Sequence, residues 1–293
     1  MTMLSRREWH KLMAAGLVAG VGQALPRAQV QESRIAGVLV GAQSYSFRDR
    51  DLQGVIDGMV EVGISSCELF EPHLFPGGLR MDREVVREWR YTTGPEYFTD
   101  VRDRFADAGL TIDSYNVSFK DDFTDAEIYA GFEAAKVLGA PAITSSAHVN
   151  SVPRIARMAA EHGIPAAMHN HSGVHFNEFS SPEQFAAAMA QGDGQSITVN
   201  LDIGHFVAAN HDPVAYLREH HAQITALHIK DRRRNEGPNT VWGEGDTPIG
   251  EVLRLVRDEG WDIPCNIEYE YRGGDTIEEM KRCFEFARRE LEA

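Results

Sequence analysis

The apolar residues of the chain follow two alternating spacings from residue 36 onward: short runs rich in Val and Ile, and longer stretches with helical periodicity. The short runs predict strands at 38–45, 64–70, 110–117, 141–147, 164–168, 197–203, 224–227 and 263–267. The periodic stretches predict helices at 52–62, 82–90, 96–108, 124–138, 152–162, 181–190, 213–220, 250–259 and 276–291. A glycine follows several of these helices, as at Gly63, Gly139 and Gly163, which is typical of a helix end.

The order of these elements predicts the fold class. Eight strand–helix units within about 250 residues are typical of a (β/α)8 barrel, the TIM barrel. Neither a linker nor a change of composition interrupts the chain after residue 36, so we expect a single α/β barrel domain over residues 29–293. The alternative is an open doubly wound sheet, but the chain lacks its glycine-rich first turn.

Four consecutive predicted strands run into a metal-capable side chain: His169, Asp202, His228 and Glu268. A charged Asp at the end of an apolar strand is costly unless another group pairs with it. In a barrel the carboxyl ends of all strands meet at one face, where the active sites of such folds lie. The sequence therefore predicts that these four side chains share one site.

The chemistry of this set favours a transition metal. Two imidazoles and two carboxylates suit Mn²⁺, Fe²⁺, Co²⁺ or Zn²⁺ better than Mg²⁺ or Ca²⁺. Any one of these histidines alone would be interpreted as an ordinary hydrogen-bonded residue. Glu270 lies two positions after Glu268, faces the same side of the strand and is the rival fourth ligand. Neighbouring polar residues are expected to orient ligands or substrate: Asn170, His171, His205, Asp231 and Glu270.

The amino-terminal 28 residues differ from the rest. Ser5-Arg6-Arg7-Glu8-Trp9-His10-Lys11 precedes an apolar run from Leu12 to Leu25 that is too short and glycine-rich for a transmembrane helix. This segment, residues 1–28, resembles a twin-arginine export signal, which implies a periplasmic or otherwise exported protein. The alternative is a disordered basic tail.

Charge and cysteine content limit the partners. Removing residues 1–28 takes away four basic residues and one acidic residue, leaving 25 basic and 43 acidic residues and a formal charge of −18. Such a surface repels nucleic acid and anionic membranes, so we expect a small-molecule partner. The three cysteines lack metal-site spacing and are interpreted as buried free thiols. A homo-oligomer is left open.

Five segments carry a resemblance to a known family: His169-Asn170-His171, Leu201-Asp202-Ile203-Gly204-His205, Leu227-His228-Ile229-Lys230-Asp231, Gly243-Glu244-Gly245 and Ile267-Glu268-Tyr269-Glu270. Over about residues 36–290 the chain resembles the xylose isomerase-like barrels known as sugar phosphate isomerases/epimerases. The resemblance implies one divalent metal, often Mn²⁺, on ligands from the fifth to eighth strands. It also implies that His205 and Arg234 contact sugar oxygens and that Glu68 lies in the substrate pocket.

The chain departs from the family pattern at one ligand. The usual ligand set is Glu, Asp, His, Glu, and two metal-bound glutamates exchange the substrate proton, whereas His169 stands in the first position here. Only Glu268 then remains as a catalytic carboxylate of that pair. His148 at the end of the fourth strand, or Glu68, is the candidate for the second acid/base. The alternative for His148 is a loop histidine that caps a helix.

The run Arg232-Arg233-Arg234 has two interpretations. It binds an anionic substrate group, or at least two of the three arginines belong to a solvated loop.

Three functions are compatible with these residues. The leading hypothesis is a metal-dependent isomerase or epimerase acting on a sugar or keto-sugar, with proton transfer through a metal-stabilised enediolate. Its catalytic residues would be Glu268, His148 and Glu68, and its substrate contacts His171, His205, Asp231, Arg234 and Glu270. The second hypothesis is a lyase or dehydratase acting on keto-glycosides, which the replacement of glutamate by His169 favours. The third is a periplasmic sugar-binding protein without turnover.

The export hypothesis predicts that replacing Arg6 and Arg7 by lysine retains the protein in the cytoplasm, because the twin-arginine route reads this pair. Cell fractionation of the variant and the wild type measures the distribution. The adjacent pair Arg288 and Arg289, changed to lysine in the same way, is the matched control. Unchanged export of the Arg6/Arg7 variant would exclude this route.

Overall fold

The computed structural model describes residues 32–173 and 177–293, so the predicted export segment 1–28 lies outside the described residues. A two-residue strand comes first, and eight parallel strands follow it. The strands are β1 (Arg34–Ile35), β2 (Val38–Gln43), β3 (Ser66–Phe70), β4 (Thr111–Asn116), β5 (Ile143–Ser145), β6 (Ala166–His169), β7 (Ile197–Asp202), β8 (Ile224–Ile229) and β9 (Cys265–Ile267).

The eight parallel strands form a closed barrel, because each pairs with its neighbours in sequence and β2 also pairs with β9. The predicted (β/α)8 fold is therefore confirmed. The sequence did not predict β1, which pairs antiparallel with the start of β2 through a turn at Ala36 and Gly37. A two-residue strand is too short to show a period-two pattern.

Helices cover the outside of the barrel. They are α1 (Leu52–Val62), α2 (Arg83–Thr92), α3 (Pro95–Asp107), α4 (Asp125–Leu138), α5 (Val152–His162), α6 (Pro182–Met189), α7 (Ile203–Ala208), α8 (Pro213–His220), α9 (Ile249–Glu259) and α10 (Thr276–Glu292). Local sequence sets their ends: Thr124 and Glu127 form a reciprocal capping box before α4, as Ser181 and Gln184 do before α6. Among the described residues, none of the helices is long and apolar enough to cross a bilayer.

The short helix α7 is the main difference from the predicted elements, which left this segment without a helix and continued the strand to residue 203. The Asp202 side chain ends the strand by accepting a hydrogen bond from the His205 backbone N–H at 2.7 Å, which caps the helix. At Gly204 the chain passes so close to Lys230 that a Cβ atom would lie 2.3 Å from the lysine Cγ. Glycine therefore allows α7 to turn directly over the end of β8, which brings His205 to the mouth of the barrel.

Candidate metal centre

The four predicted ligands converge at the carboxyl end of the barrel. His169 and Asp202 are the last residues of β6 and β7, His228 lies near the end of β8, and Glu268 follows β9. One ligand atom from each lies within 4.8 Å of the others, and all four side chains are buried. The parallel register explains this convergence, because it aligns Asp202 with His228 on the neighbouring strand.

Two buried atoms support a cation at this point. His169 Nε2 and Asp202 Oδ2 are both shielded from solvent, and neither makes a hydrogen bond in the described part of the chain, although Asp202 Oδ2 has an ion contact with Lys230 Nζ at 3.1 Å. They lie 3.5 Å apart and point into the same space. A buried acceptor without a hydrogen bond is costly, and a divalent ion would coordinate both atoms at once. The residues present therefore fit one divalent metal, with Asp202 and Glu268 as anionic ligands and two imidazoles as neutral ones.

The orientation of His228 also fits metal binding. Its Nε2 lies 2.7 Å from Glu68 Oε2, and its Nδ1 lies 3.0 Å from Glu268 Oε2. When Nε2–H donates to Glu68, the lone pair of Nδ1 faces the centre, as a metal-binding imidazole requires. Burial alone would lower the pKa of His228, but the carboxylates of Glu68 and Glu268 raise it well above its ordinary value. A metal held at Nδ1 would therefore displace a proton from this ring.

Glu68 lies beneath the pocket that the sequence assigned to it. The side chain is fully buried in the barrel interior, and Glu68 is not among the described residues that line the cavity. Its Oε1 accepts hydrogen bonds from Gln43, Asn116 and Thr144 at 2.6–3.0 Å. Burial raises its pKa, but the charge of His228 and the hydrogen bonds from His228 and Thr144 result in a net lowering. Glu68 is thus an ionised acceptor that orients His228, a role different from contact with substrate.

Lys230 is a residue of the candidate site that the sequence analysis did not predict. Its Nζ lies 3.1 Å from Asp202 Oδ2, 2.7 Å from Glu268 Oε2 and 2.5 Å from Glu270 Oε2, and the side chain is only 3% exposed. The signal was present in the spacing: Lys230 lies two residues after His228 and so faces the same side of the strand.

Asp231 and Arg234, both predicted to contact substrate, lie away from the cavity lining. Asp231 accepts backbone hydrogen bonds from Gly243, Gly245 and Thr247, and therefore fixes the loop that follows β8. Arg234 is exposed on that loop, where its backbone N–H donates to Asp246. Successive side chains of an extended chain point to opposite sides, so Asp231, one position after the inward-facing Lys230, points away from the cavity.

Arg232 is the member of the arginine run that reaches the site. Its Nη1 lies 2.5 Å from His205 Nδ1 and 2.8 Å from Ser172 Oγ. A guanidinium only donates, so Nδ1 of His205 is the acceptor, and the proton of the neutral ring is on Nε2. Burial is the main cause that lowers the pKa of His205 well below its ordinary value, with the charge of Lys230 second. His205 is therefore a neutral hydrogen-bond donor at the cavity.

The cavity above the four ligands has a volume of about 380 Å³. His171, His205 and Glu270, three of the five predicted substrate contacts, line it. Burial, followed by the charge of His169, lowers the pKa of His171 to about 3, so this ring is also neutral. Tyr45 and Phe70 form an aromatic wall, with ring centroids 5.3 Å apart in an edge-to-face arrangement. The remaining lining residues are Gln43, Asn116, Ser118, Ser146, His169, His228 and Glu268.

His148 is absent from the described residues that line the cavity. Its Nδ1 lies 3.3 Å from the Asp121 carboxylate and accepts a hydrogen bond from the Asp121 backbone N–H. The structure thus places His148 in a loop contact before α5 and not beside Glu268. The residue precedes a short 3-10 turn, but its side chain makes no cap hydrogen bond there.

The metal centre predicts that Asp202→Asn abolishes stoichiometric divalent-metal binding, because the variant loses an anionic ligand but keeps a side-chain oxygen to cap α7. Elemental analysis and Mn²⁺ titration calorimetry measure the loss. Asp212→Asn is the matched control, because Asp212 caps α8 in the same way. Full metal content in the Asp202 variant would disprove the site.

The role of Glu68 predicts that Glu68→Gln weakens metal binding by about 10- to 100-fold, the usual effect of removing a partner that orients a ligand. Titration calorimetry of the folded variant tests this. Asp113→Asn is the control for a neighbouring, half-buried carboxylate, because Asp113 bonds to Ser66 and Ser114 and shares Asn266 with Glu68. Equal weakening in both variants would indicate a packing effect and contradict the orienting role.

Comparison with known proteins agrees with this architecture. The family model described as "Xylose isomerase-like TIM barrel" matches residues 59–289. The 3-keto-D-glucoside 4-epimerase of E. coli superposes with a TM-score of 0.66 at 13% identity, covering 86% of this chain and 99% of that one. The D-psicose 3-epimerase of Clostridium cellulolyticum H10 gives 0.66 at 14% identity, with the same coverage. At these identities the structures show the fold alone.

An inosose dehydratase of Geobacillus thermodenitrificans is 27% identical over 135 residues, which are 39% of this chain and 44% of that protein. The match thus spans less than half the length of this curated relative. The family match extends over most of the chain and includes all four candidate ligands. The chain therefore belongs to the xylose isomerase-like TIM barrel family.

Proposed function

We propose that the protein is a metal-dependent isomerase or epimerase that moves a proton next to the carbonyl of a sugar or keto-sugar. The proposal rests on the position of the four-ligand centre at the floor of a cavity. Two further charged groups, the Glu270 carboxylate and the Lys230 ammonium, adjoin this cavity. A divalent ion, Mn²⁺ as our first choice, would polarise the substrate carbonyl and offset the charge of an enediolate.

Glu268 is the proposed base. It lines the cavity and is 8% exposed, so its carboxylate borders the space that a substrate would fill. Burial would raise its pKa, but Lys230 and His228 lower it strongly, so the carboxylate is ionised and able to accept a proton. Because those same contacts reduce its basicity, proton abstraction depends on the substrate C–H bond being acidified by the carbonyl next to it.

The other cavity residues provide substrate binding. The neutral rings of His171 and His205 act as hydrogen-bond partners for hydroxyl groups, and the wall of Tyr45 and Phe70 suits the apolar face of a sugar ring. None of the described residues that line the cavity is a lysine or arginine. The two cations beside the cavity are already engaged, Arg232 by His205 and Lys230 by Glu268 and Glu270. This favours an uncharged sugar over a sugar phosphate, because phosphate recognition normally uses such cations.

A dehydratase is the second candidate, and two observations favour it. The resemblance to the ketose epimerases implies that His169 takes the place of a carboxylate, which leaves Glu268 without the second acid/base that a two-glutamate epimerase needs. An inosose dehydratase is also among the related sequences. Elimination would begin with the same proton abstraction. Glu268 could then pass that proton to the departing hydroxyl group, which leaves as water, while His171 and His205 act as hydrogen-bond partners.

Product analysis separates the two reactions. The Mn²⁺-loaded protein is incubated with sugars, 3-keto-sugars, glycosides and matched sugar phosphates, and the products are resolved by mass. An unchanged mass indicates isomerisation, whereas loss of water or of an aglycone indicates elimination. Conversion of the phosphates alone would contradict the proposed uncharged substrate.

The proton step predicts that Glu268→Gln lowers turnover by about 10²- to 10⁴-fold, the usual cost of losing a general base. Glu259→Gln, an exposed glutamate on α9, is the matched control. A substrate deuterated next to the carbonyl tests the step itself in the wild type. Turnover that retains this deuterium, without an isotope effect on the isolated chemical step, would exclude proton abstraction.

A further inference from the structure

Lys230 lies where a metal ion would also be attracted. Its Nζ contacts Asp202 Oδ2 and Glu268 Oε2, which belong to the predicted metal ligands. The aliphatic part of the side chain is held against Gly204 of α7, where a Cβ atom would lie 2.3 Å from the lysine Cγ. The ammonium group is therefore a fixed, buried positive charge beside the anionic half of the metal centre.

The charges around the centre show why such a cation is needed. Asp202 and Glu268 are buried, and Glu68 lies directly beneath them. Several carboxylates that are removed from water repel one another unless cations balance them. In the metal-free protein, Lys230 and His228 provide that balance, since both contact Glu268. Carboxylate oxygens of Asp202, Glu268 and Glu270 lie 2.5–3.1 Å from Nζ and hold the lysine side chain in place as their cationic partner.

A metal ion bound to the same oxygens would meet this charge at close range. Metal–oxygen distances are about 2.0–2.2 Å, so an ion on Asp202 and Glu268 would lie next to Nζ in a site from which water is excluded. Like charges so close repel strongly in a partly desolvated environment. Glu270 offers the ammonium a second position, because it also contacts Nζ but is not one of the four ligands. It is more exposed, at 24%, and lines the cavity.

We propose that Lys230 is an internal counter-ion that competes with the metal for Asp202 and Glu268, and that metal binding transfers it to Glu270 at the cavity wall. The inference rests on the proposed metal-dependent function. Two consequences follow. The metal is held less tightly than its four ligands alone would allow, and loading the centre moves an N–H donor toward the space where substrate oxygens bind.

The test compares Lys230→Met with the wild type by Mn²⁺ titration calorimetry and by thermal unfolding with and without Mn²⁺. We expect the variant to bind Mn²⁺ at least about tenfold more tightly, because removing the like charge removes the repulsion. We also expect a lower melting temperature without metal, because Asp202 and Glu268 lose their counter-ion. Lys281→Met, on the exposed face of α10, is the matched control and should change neither quantity. Equal or weaker Mn²⁺ binding by Lys230→Met would overturn the proposal.

A double-mutant cycle tests the part of Glu270. If Glu270 receives the displaced ammonium, Glu270→Gln weakens Mn²⁺ binding more in the wild-type background than in the Lys230→Met background. Equal effects in both backgrounds would overturn the transfer step. Should Lys230→Met fail to fold without metal, refolding with Mn²⁺ is the readout: rescue by Mn²⁺ supports the counter-ion role, and failure of rescue contradicts it.

The two proposals fail in different ways. Absence of Mn²⁺ binding by the wild type would overturn the metal-dependent function and this inference together. Binding that Asp202→Asn abolishes but Lys230→Met leaves unchanged would overturn the role of Lys230 alone.

Discussion

The site depends on the cost of taking carboxylates out of water. Asp202, Glu68 and Glu268 are all buried near the end of the barrel. A buried carboxylate without a partner would destabilise the fold or take up a proton and become neutral. The protein stabilises them with one imidazole and one ammonium: His228 lies between Glu68 and Glu268, and Lys230 lies between Asp202 and Glu268. Burying several carboxylates together at the barrel mouth costs folding free energy. The same cluster of negative charge attracts a divalent cation strongly.

The barrel converts this local chemistry into a fixed geometry. Parallel pairing places the ends of β6, β7, β8 and β9 side by side, so four residues far apart in sequence need no flexible loop to meet. The helix α7 adds a fifth element, because Asp202 both faces the centre and caps that helix through the His205 N–H. A change at Asp202 therefore alters a candidate ligand and the position of the His205 ring, which lines the cavity, together. For this reason asparagine, which retains the cap, is the informative replacement.

The sequence predicted the barrel and the four-ligand cluster because both follow from patterns that are visible in the amino-acid sequence. These patterns are the alternation of strands and helices and the polar residues at strand ends. It failed where side-chain direction decided the outcome. Asp231 was preferred to Lys230 although Lys230 shares the face of His228, and Arg234 was preferred to Arg232, which contacts His205. The short helix α7 was missed because six residues do not show helical periodicity. No one-dimensional signal indicated that His148 would pair with Asp121 in a loop.

Two positions along one strand separate Glu68, which contacts a candidate ligand, from a residue that lines the cavity. On β3, Glu68 faces inward in the middle of the strand, and Phe70, two positions later on the same side, lines the cavity. The same step of two separates Asn200 from Asp202 and Asn266 from Glu268, so amide side chains lie beneath the carboxylates. Asn266 also donates to Glu68, at 3.3 Å. The interior of a TIM barrel is usually filled by branched apolar residues, whereas here one layer is polar. That layer makes an ionised Glu68 tolerable within the barrel, and an ionised Glu68 in turn keeps the Nδ1 lone pair of His228 directed at the metal centre.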